Sequence, residues 1–176
     1  MQITCGGRTR KFSGREGRRM AAETRRECVE VTIRAFRPGD AAAVTMILRQ
    51  APEAANWPEQ AYREALDWPG VLALVSEDDG QVTGFILGRQ VGDESEILNL
   101  AVTAVGRRRG QGAALLKAVL DEFRSRGVNR VFLEVRESNQ TGIAFYEEHD
   151  FSKTGRRARY YRDPVEAAMV MERKLP

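Results

Sequence analysis

The sequence has one histidine, two cysteines and only 7% aromatic residues among its 176 positions. The single histidine, His149, excludes a metal centre built from several histidines. Cys5 and Cys28 are far apart and outside any paired spacing, so neither a disulfide framework nor a metal site is predicted. No apolar run reaches the roughly 18 residues of a membrane span, and the N-terminus lacks an apolar signal segment. We therefore expect a cytoplasmic protein with no membrane partner.

Positive charge is concentrated at the N-terminus. Residues 1–28 carry eight basic and three acidic side chains, a net charge of +5, which leaves −2 on the other 148 residues. The folded part therefore carries no basic footprint for nucleic acid. The segment has few apolar residues and no sustained period, so we expect a disordered extension at 1–28 before a single domain at 29–176. Contact of the extension with ribosomal or other RNA stays open, as does the choice between monomer and homodimer.

Hydrophobic periodicity predicts an α/β fold around a mixed sheet. Asp40 is the predicted N-cap of the first helix, Gly127 the residue that ends the third, and Asn139 the cap of the fourth. Asp78, Asp79 and Gly80 are typical of a hairpin turn. The predicted strands are 29–35, 71–76, 82–91, 97–102, 131–135, 151–154 and 167–173, and the predicted helices are 40–50, one beginning at Pro58, 113–126 and 139–148.

A glycine- and arginine-rich loop, Arg107-x-x-Gly110-x-Gly112, joins the fourth predicted strand to an amphipathic helix. Glycines bring several backbone N–H groups to one place, and a helix N-terminus adds positive potential, so the loop can hold a phosphate. A nucleotide-hydrolase phosphate loop is excluded because Ala113 and Ala114 replace its Lys and Ser/Thr, and the glycine spacing excludes a Rossmann fingerprint. The alternative is a tight, solvated connection without a ligand.

Several segments together resemble the GNAT superfamily of acetyl-CoA-dependent N-acetyltransferases, from about Val31 to Leu175. The closest likeness is to the RimI type, the ribosomal-protein alanine N-acetyltransferases. This resemblance implies a mixed, mostly antiparallel central sheet flanked by helices on both faces, and acetyl-CoA as the acetyl donor. The matching segments are Leu98-Asn99-Leu100-Ala101-Val102, the loop Arg107–Gly112, Leu133-Glu134-Val135-Arg136, Ser138-Asn139, Ile143-Ala144-Phe145-Tyr146, Trp57-Pro58-Glu59 and Tyr160-Tyr161.

The resemblance also implies where the cofactor binds. The strand at 99–102 is expected to splay from the strand at 131–135, so that an amide near Leu100 or Val102 binds the acetyl oxygen, like an oxyanion hole. Asn139 would contact the pantetheine region, although ordinary capping explains it equally well. The implied cofactor-binding residues are Leu100, Ala101, Val102, Arg107, Arg108, Arg109, Gly110, Gln111, Gly112, Ala113, Asn139 and Tyr146.

Two residues are the catalytic candidates. Tyr146 would be the general acid, since a phenol stays protonated at neutral pH and can protonate a thiolate; its alternative is a core aromatic. Glu134 alternates with apolar residues on its strand, and a partly desolvated carboxylate can collect a proton through water. The alternative for Glu134 is an ion pair with Arg136 or another cation. Glu96 is a weaker candidate for the base.

The expected acceptor is the N-terminal α-amine of a protein, by likeness a ribosomal protein, in a groove lined by Trp57, Tyr160 and Tyr161. An α-amine costs roughly 3 kcal/mol less to deprotonate than lysine, which suits a site with one weak base. A small-molecule amine, or a non-catalytic module that binds acetyl-CoA or RNA, are the alternatives. One departure from the family is His149-Asp150-Phe151 in place of Leu-Gly-Phe, which predicts a left-handed Asp150.

Overall fold

A computed structural model describes residues 31–55 and 57–176. The extension predicted at 1–28, and the start of the predicted first strand, lie outside these residues. These residues form seven strands and four α-helices. The elements are β1 (Thr32–Ala35), α1 (Ala41–Leu48), α2 (Glu59–Ala65), β2 (Val71–Asp78), β3 (Gln81–Val91), β4 (Glu94–Val102), α3 (Gln111–Ser125), β5 (Arg130–Arg136), α4 (Gln140–Glu147), β6 (Ser152–Arg162) and β7 (Val165–Lys174).

The seven strands form one sheet in the order β1-β2-β3-β4-β5-β7-β6. Five of the six neighbouring pairs are antiparallel, and only β4 and β5 run parallel. The crossover between these two parallel strands is helix α3, as a parallel connection requires. The prediction of a mixed, mostly antiparallel sheet is confirmed.

Helices cover both faces of the sheet, as predicted. On one face α3 packs through Leu116 and Phe123 onto Ile86 and Leu133. On the other face α1 and α2 pack through Val44 and Tyr62 onto Phe85 and neighbouring residues of β2 and β3. Successive residues of β3, Phe85 and Ile86, thus point into different cores, and both are fully buried. Burial on both faces explains the continuous apolar run of β3.

The final hairpin is longer than predicted. The predicted strand at 151–154 is in fact β6, which runs over Ser152–Arg162, and β7 extends the predicted strand 167–173 by a few residues. Almost every residue of β6 is exposed, because β6 is the edge of the sheet. An exposed strand carries no apolar alternation, so the pattern that located the other strands was missing here.

The start of α1 also differs in detail. Asp40 is the N-cap residue as predicted, but its side chain makes no capping bond to α1. Its carboxylate instead accepts hydrogen bonds from Arg34, at 2.7 and 3.0 Å, and from the Arg37 amide at 2.7 Å. The Arg34 guanidinium therefore holds the pKa of Asp40 below its usual value. The helix ends at Leu48 rather than near Gln50, where the last amides fold into a turn.

Three turn predictions are confirmed. Asp79 and Gly80, in the turn between β2 and β3, both have positive φ, as a two-residue hairpin loop requires. Gly127 is left-handed just beyond the end of α3. Asn139 caps α4, its side-chain oxygen accepting the Gly142 amide at 2.8 Å.

None of the helices in the described ranges is long and apolar enough to cross a membrane.

Candidate active site

The sheet forks where its two parallel strands separate. β4 and β5 pair from Glu94 with Arg130 to Ile97 with Leu133, and their pairing stops there. Opposite β3 the register shifts at the same place, so Leu98 is an extra residue on β4. Such a bulge bends its strand and interrupts the ladder, which explains why β4 turns away from β5 after Ile97. The predicted splay between these strands is therefore present.

The backbone beyond the bulge aims two amides into the fork. The Thr103 amide donates to Thr83 of β3 at 2.8 Å. Amides alternate in direction along an antiparallel strand, so the Leu100 and Val102 amides point away from β3 and into the fork. The Ala101 amide points the other way, towards β3. Its side chain packs in the core beneath α1. The fork thus offers N–H donors at the two positions that the family resemblance implies for binding the acyl oxygen.

The glycine-rich loop brings further amides to one end of the fork. Gly110 has φ +78° and begins α3, and Arg108 is left-handed as well, with φ +58°. Within the described ranges the amides of Arg108, Gly110, Gln111, Gly112 and Ala113 donate to no protein acceptor. The first turn of a helix leaves its amides free for an anion, and its dipole adds positive potential. Free amides beside a positive helix terminus are the features that a pyrophosphate site needs, and pyrophosphate binding by this loop stays a prediction.

Not every side chain of this loop faces the fork. Arg107 donates to the Gln50 carbonyl at 2.5 Å, which ties the loop to the end of α1. Arg109 lies outside the cleft, and its amide points to the Gly106 carbonyl at 3.4 Å. Gln111 is buried beneath the loop against Gly106, its side-chain oxygen without a partner in the described chain. Among these three residues, only Gln111 presents an amide suited to a phosphate.

Helix α4 closes the other side of the fork. Tyr146 stands half-buried in edge-to-face contact with Phe145, at 5.2 Å, and with Phe151, at 5.6 Å. Burial raises the pKa of its hydroxyl above the usual value. Both Tyr146 and Asn139 line the cleft, and the oxygen of Asn139 is engaged in capping. Tyr146 therefore combines a core contact on one side with a protonated hydroxyl at the cleft.

Glu134 lies on β5, just beyond the last residue that pairs with β4. Its neighbours Leu133 and Val135 are buried in the core beneath α3, so Glu134 faces the opposite side of the sheet, as the alternation predicted. Its carboxylate is only 11% exposed and forms an ion pair with Arg157 of β6 at 2.9 Å. The cation is therefore Arg157; Arg136 pairs with Glu166 instead.

Glu96 shares this face of the sheet. It pairs with Phe132 in the β4–β5 ladder, two residues before Glu134. Both carboxylates line the cleft. Burial, and then the charge of Glu134, raise the pKa of Glu96. The site therefore contains two carboxylates rather than the one weak base expected.

The predicted acceptor-binding residues lie at the mouth of the cleft. Tyr160 and Tyr161 stand edge to face with ring centroids 5.1 Å apart, where β6 bulges against β7. A hydrogen bond to Glu134 is the main cause that raises the pKa of Tyr160 to about 12. Trp57 faces them from the α1–α2 connection and packs against Tyr62 at 5.4 Å.

Asn99 was not among the predicted site residues, yet it connects the fork to the acceptor side. Its side-chain amide donates to the Tyr62 hydroxyl and to the Ala55 carbonyl, both at 2.7 Å. Asn99 is 6% exposed, and burial raises the pKa of Tyr62 to about 12. A single polar residue within the apolar run Ile97–Val102 was the available signal. Arg157 had no comparable signal.

Most predicted site residues meet in one cleft of about 1510 Å³ between the fork, the loop and the final hairpin. The cleft has free backbone amides of the loop at one end and carboxylates and tyrosines at the other. The predicted residues that line it are Trp57, Leu100, Ala101, Val102, Arg107, Arg108, Gly110, Gly112, Ala113, Glu134, Asn139, Tyr146, Tyr160 and Tyr161.

Asp150 follows α4 in the predicted left-handed conformation, with φ +62°. Its side chain is 82% exposed and lies 3.3 Å from Arg173. The preceding His149 stacks on Phe145 at 4.5 Å and bonds the Phe145 carbonyl at 2.7 Å. The turn thus survives without the glycine of the family pattern.

The same overall fold is found in solved structures of N-acetyltransferases. The sequence matches the acetyltransferase (GNAT) family over residues 42–151, more than half of the chain, and the protein belongs to this family. A curated relative is the [ribosomal protein bS18]-alanine N-acetyltransferase of Escherichia coli K12, 39% identical over 95 residues. That alignment covers 53% of this chain and 64% of the relative, less than two thirds of the relative's length.

Solved structures match over more of the chain. The ribosomal-protein-S18-alanine N-acetyltransferase from Escherichia coli superimposes with a TM-score of 0.73 at 31% identity, covering 82% of this chain and 93% of the other. Ard1 from Thermoplasma volcanium gives a TM-score of 0.76 at 32% identity, covering 83% and 98%. The similarity in structure therefore includes the final hairpin, which lies beyond the residues matched to the family.

Proposed function

We propose that this protein transfers an acetyl group from acetyl-CoA to the N-terminal α-amine of a protein. The observation that carries the proposal is the fork between β4 and β5, where the Leu100 and Val102 amides lie between an anion-binding loop and two carboxylates. Members of the family use acetyl-CoA, and the Escherichia coli relative is named for the alanine terminus of a ribosomal protein.

The loop supplies the binding energy for the cofactor. Free amides from Gly110 to Ala113 would hold the pyrophosphate, and the Leu100 amide would donate to the acyl oxygen. The Asn139 side-chain nitrogen would donate to the pantetheine arm, which lies between the pyrophosphate and the acetyl group. This nitrogen is free because capping uses only the oxygen of the side chain. When bound, acetyl-CoA supplies a thioester carbonyl that an amine can attack.

Tyr146 and the carboxylates would handle the protons. Tyr146 stays protonated because its pKa is raised, so it can donate to the departing sulfur. Glu134, at the mouth of the fork beside Tyr160, would draw the acceptor ammonium towards the thioester. One of the two carboxylates would take the proton that leaves the amine. The aromatic pair Tyr160 and Tyr161 would hold the first residues of the acceptor opposite Trp57.

The first experiment is a melting-temperature measurement with and without acetyl-CoA, using ATP and NADH as controls. At a hundred times Kd a ligand adds about 2.7 kcal/mol, which for a protein of this size means a rise on the order of 5 to 10 °C. A rise confined to acetyl-CoA supports the cofactor site. The absence of a rise would contradict it and favour a module without turnover.

The acceptor class requires a second experiment. Peptides with a free N-terminus, peptides with a blocked N-terminus and one lysine, and small amines such as polyamines are offered with acetyl-CoA. Intact mass spectrometry is expected to find acetyl on the free terminus of the first set. Acetyl only on lysine would contradict the α-amine, and turnover of the small amines alone would favour a small-molecule enzyme.

A further inference from the structure

The tyrosines at the mouth of the cleft stand on a segment of β6 that the sheet itself does not fix. The ladder between β6 and β7 is interrupted between Arg157 and Tyr161, where β6 advances by more residues than β7. β6 is also the edge of the sheet and almost entirely exposed. A bulge leaves its residues without the regular hydrogen bonds that orient a strand. The direction of the Tyr161 ring therefore depends on its side-chain contacts.

The same bulge contains a strained backbone. Arg159 has φ +52°, in the left-handed region that is unfavourable for any residue with a Cβ atom. Such strain persists where the surrounding contacts determine the conformation. On one side of Arg159, Arg157 binds Glu134 at 2.9 Å; on the other side, Tyr161 contacts Arg136 of β5. These two arginine contacts hold the bulge from both ends.

Arg136 uses its whole guanidinium in the second of these contacts. The group lies over the Tyr161 ring, 4.1 Å from the centroid. Its nitrogens donate to the Glu166 carboxylate of β7 at 3.2 Å and to the Asp163 carbonyl, in the turn of the hairpin, at 3.0 Å. A flat face for stacking together with directed donors at the edge is what arginine offers and lysine does not. Arg136 thus holds the ring, the turn and β7 at once.

Glu166 extends this set of contacts to the cofactor side of the cleft. Its second oxygen accepts the Ser138 amide at 2.6 Å, directly before the residue that caps α4. Hydrogen bonds from Ser138 are the main cause that lowers the pKa of Glu166, and Arg136 contributes to the same shift. A chain of direct contacts therefore runs from the start of α4 through Glu166 and Arg136 to the Tyr161 ring.

A second arginine of β5 makes a similar contact away from the site. Arg130 lies over the Phe132 ring at 5.7 Å and forms an ion pair with Glu94. It shares the strand and the face of Arg136, because alternate residues of a strand point to the same side. In the described structure Arg130 and Phe132 lie outside the cleft, whereas Arg136 and Tyr161 line it. Of these two arginines, only Arg136 holds a ring at the mouth of the site.

We propose that Arg136 is a positioning residue for the acceptor. It fixes the Tyr161 ring, and with it the groove opposite Trp57, in the orientation that the first residues of the acceptor chain meet. The inference rests on the proposed function. Arg136 acts through Tyr161 and takes no part in proton transfer, so its loss should change the binding of the acceptor and leave the chemical step unchanged.

The test compares Arg136→Lys with Arg130→Lys in steady-state kinetics, using acetyl-CoA and a peptide with a free N-terminus. Arg136→Lys should raise the KM for the peptide about tenfold, the size of a lost cation–π contact that is shielded from water. We expect kcat and the KM for acetyl-CoA to stay within about twofold. Arg130→Lys should leave all three values unchanged. An unchanged peptide KM in Arg136→Lys overturns the inference.

A double-mutant cycle tests whether Arg136 acts through the ring. Tyr161→Ala should raise the peptide KM by itself. Arg136→Lys added to Tyr161→Ala should then raise the KM further by less than about twofold, because the group that Arg136 positions is already gone. Effects that multiply in the double variant would place the role of Arg136 elsewhere in the fold and overturn the inference.

Glu166→Gln is the second variant, for the case that Arg136→Lys folds poorly. Its amide oxygen can still accept the Ser138 amide, so only the charge beside Arg136 is lost. The peptide KM is expected to rise about threefold, and an unchanged value contradicts the inference. An unmodified protein that transfers no acetyl to the peptide would refute the proposed function, and the inference with it. Normal peptide turnover that Arg136→Lys leaves untouched refutes the inference alone.

Discussion

The side chain of Asn99 joins the floor of the fork to the acceptor side, through bonds of 2.7 Å to the Tyr62 hydroxyl and to the Ala55 carbonyl. Asn99→Ala leaves these two acceptors with only each other, so we expect the free energy of unfolding to fall by about 1 to 3 kcal/mol. The Ala55–Trp57 connection should loosen, raising the KM for a peptide acceptor several-fold with little change for acetyl-CoA. Thermal denaturation and initial rates measure both effects.

Tyr62→Phe is the control for this prediction. It removes one acceptor of Asn99 but keeps the ring that packs edge to face on Phe85 at 5.6 Å. A smaller loss of stability is expected. An Asn99→Ala protein with unchanged stability and peptide KM would show that the connection is held by packing alone.

Gly110→Ala should weaken acetyl-CoA binding. At φ +78° a side chain costs about 1 to 2 kcal/mol, although nothing in the described structure would touch the added methyl group. Relief of this strain would rotate the Gly110 and Gln111 amides away from the pyrophosphate. Isothermal titration with acetyl-CoA should show about tenfold weaker binding.

Gly39→Ala is a suitable comparison, because Gly39 also has open space around it and needs no left-handed backbone. Its binding should be unchanged. Equal acetyl-CoA affinity of the two variants would refute a role for the Gly110 backbone.

Tyr146→Phe should lower kcat by about 10- to 100-fold while the KM for acetyl-CoA changes little, since only a proton donor is lost. Because burial raises the pKa of Tyr146, the acid form persists to high pH. The rate of the unmodified protein should therefore show no alkaline loss from this group up to about pH 10. Steady-state kinetics over that range provide the measurement, and an unchanged kcat in Tyr146→Phe would exclude Tyr146 as the acid.

Asp150→Gly should stabilise the fold. Glycine removes the left-handed strain at φ +62°, while the ion pair with Arg173 involves an 82% exposed carboxylate and contributes little. We expect a gain of about 0.5 to 1 kcal/mol in urea unfolding and a loss for Asp150→Ala, which keeps the strain. A less stable glycine variant would show that the bond to Arg173 matters more than the backbone.

The predictions from sequence succeeded where a residue's role is local. Buried strands such as β3 and β5 can be recognised by their apolar residues, and Asn139 and Gly127 act within one turn of their own helix. The same reasoning failed on β6, because an exposed edge strand has no apolar face to detect.

The site was predictable only in part for a related reason. The loop at Gly110 is a contiguous motif, whereas the ion pair between Glu134 and Arg157 joins residues 23 positions apart that meet only through the pairing of β5, β7 and β6. The bulge at Leu98, which aims the Leu100 and Val102 amides, depends on the register with β3. Neither the ion pair nor the bulge can be predicted from a short stretch of sequence.

The bulge at Leu98 also divides the sheet into two groups of strands. Within the sheet, β1 to β4 and the group β5, β7 and β6 share only the ladder from Glu94 to Ile97, while the core beneath α3 joins them on one face. A bound pantetheine arm, which carries amides of its own, would form hydrogen bonds to strands on both sides of the opening. Its arrival would add hydrogen bonds across the opening, where the two groups of strands make none to each other.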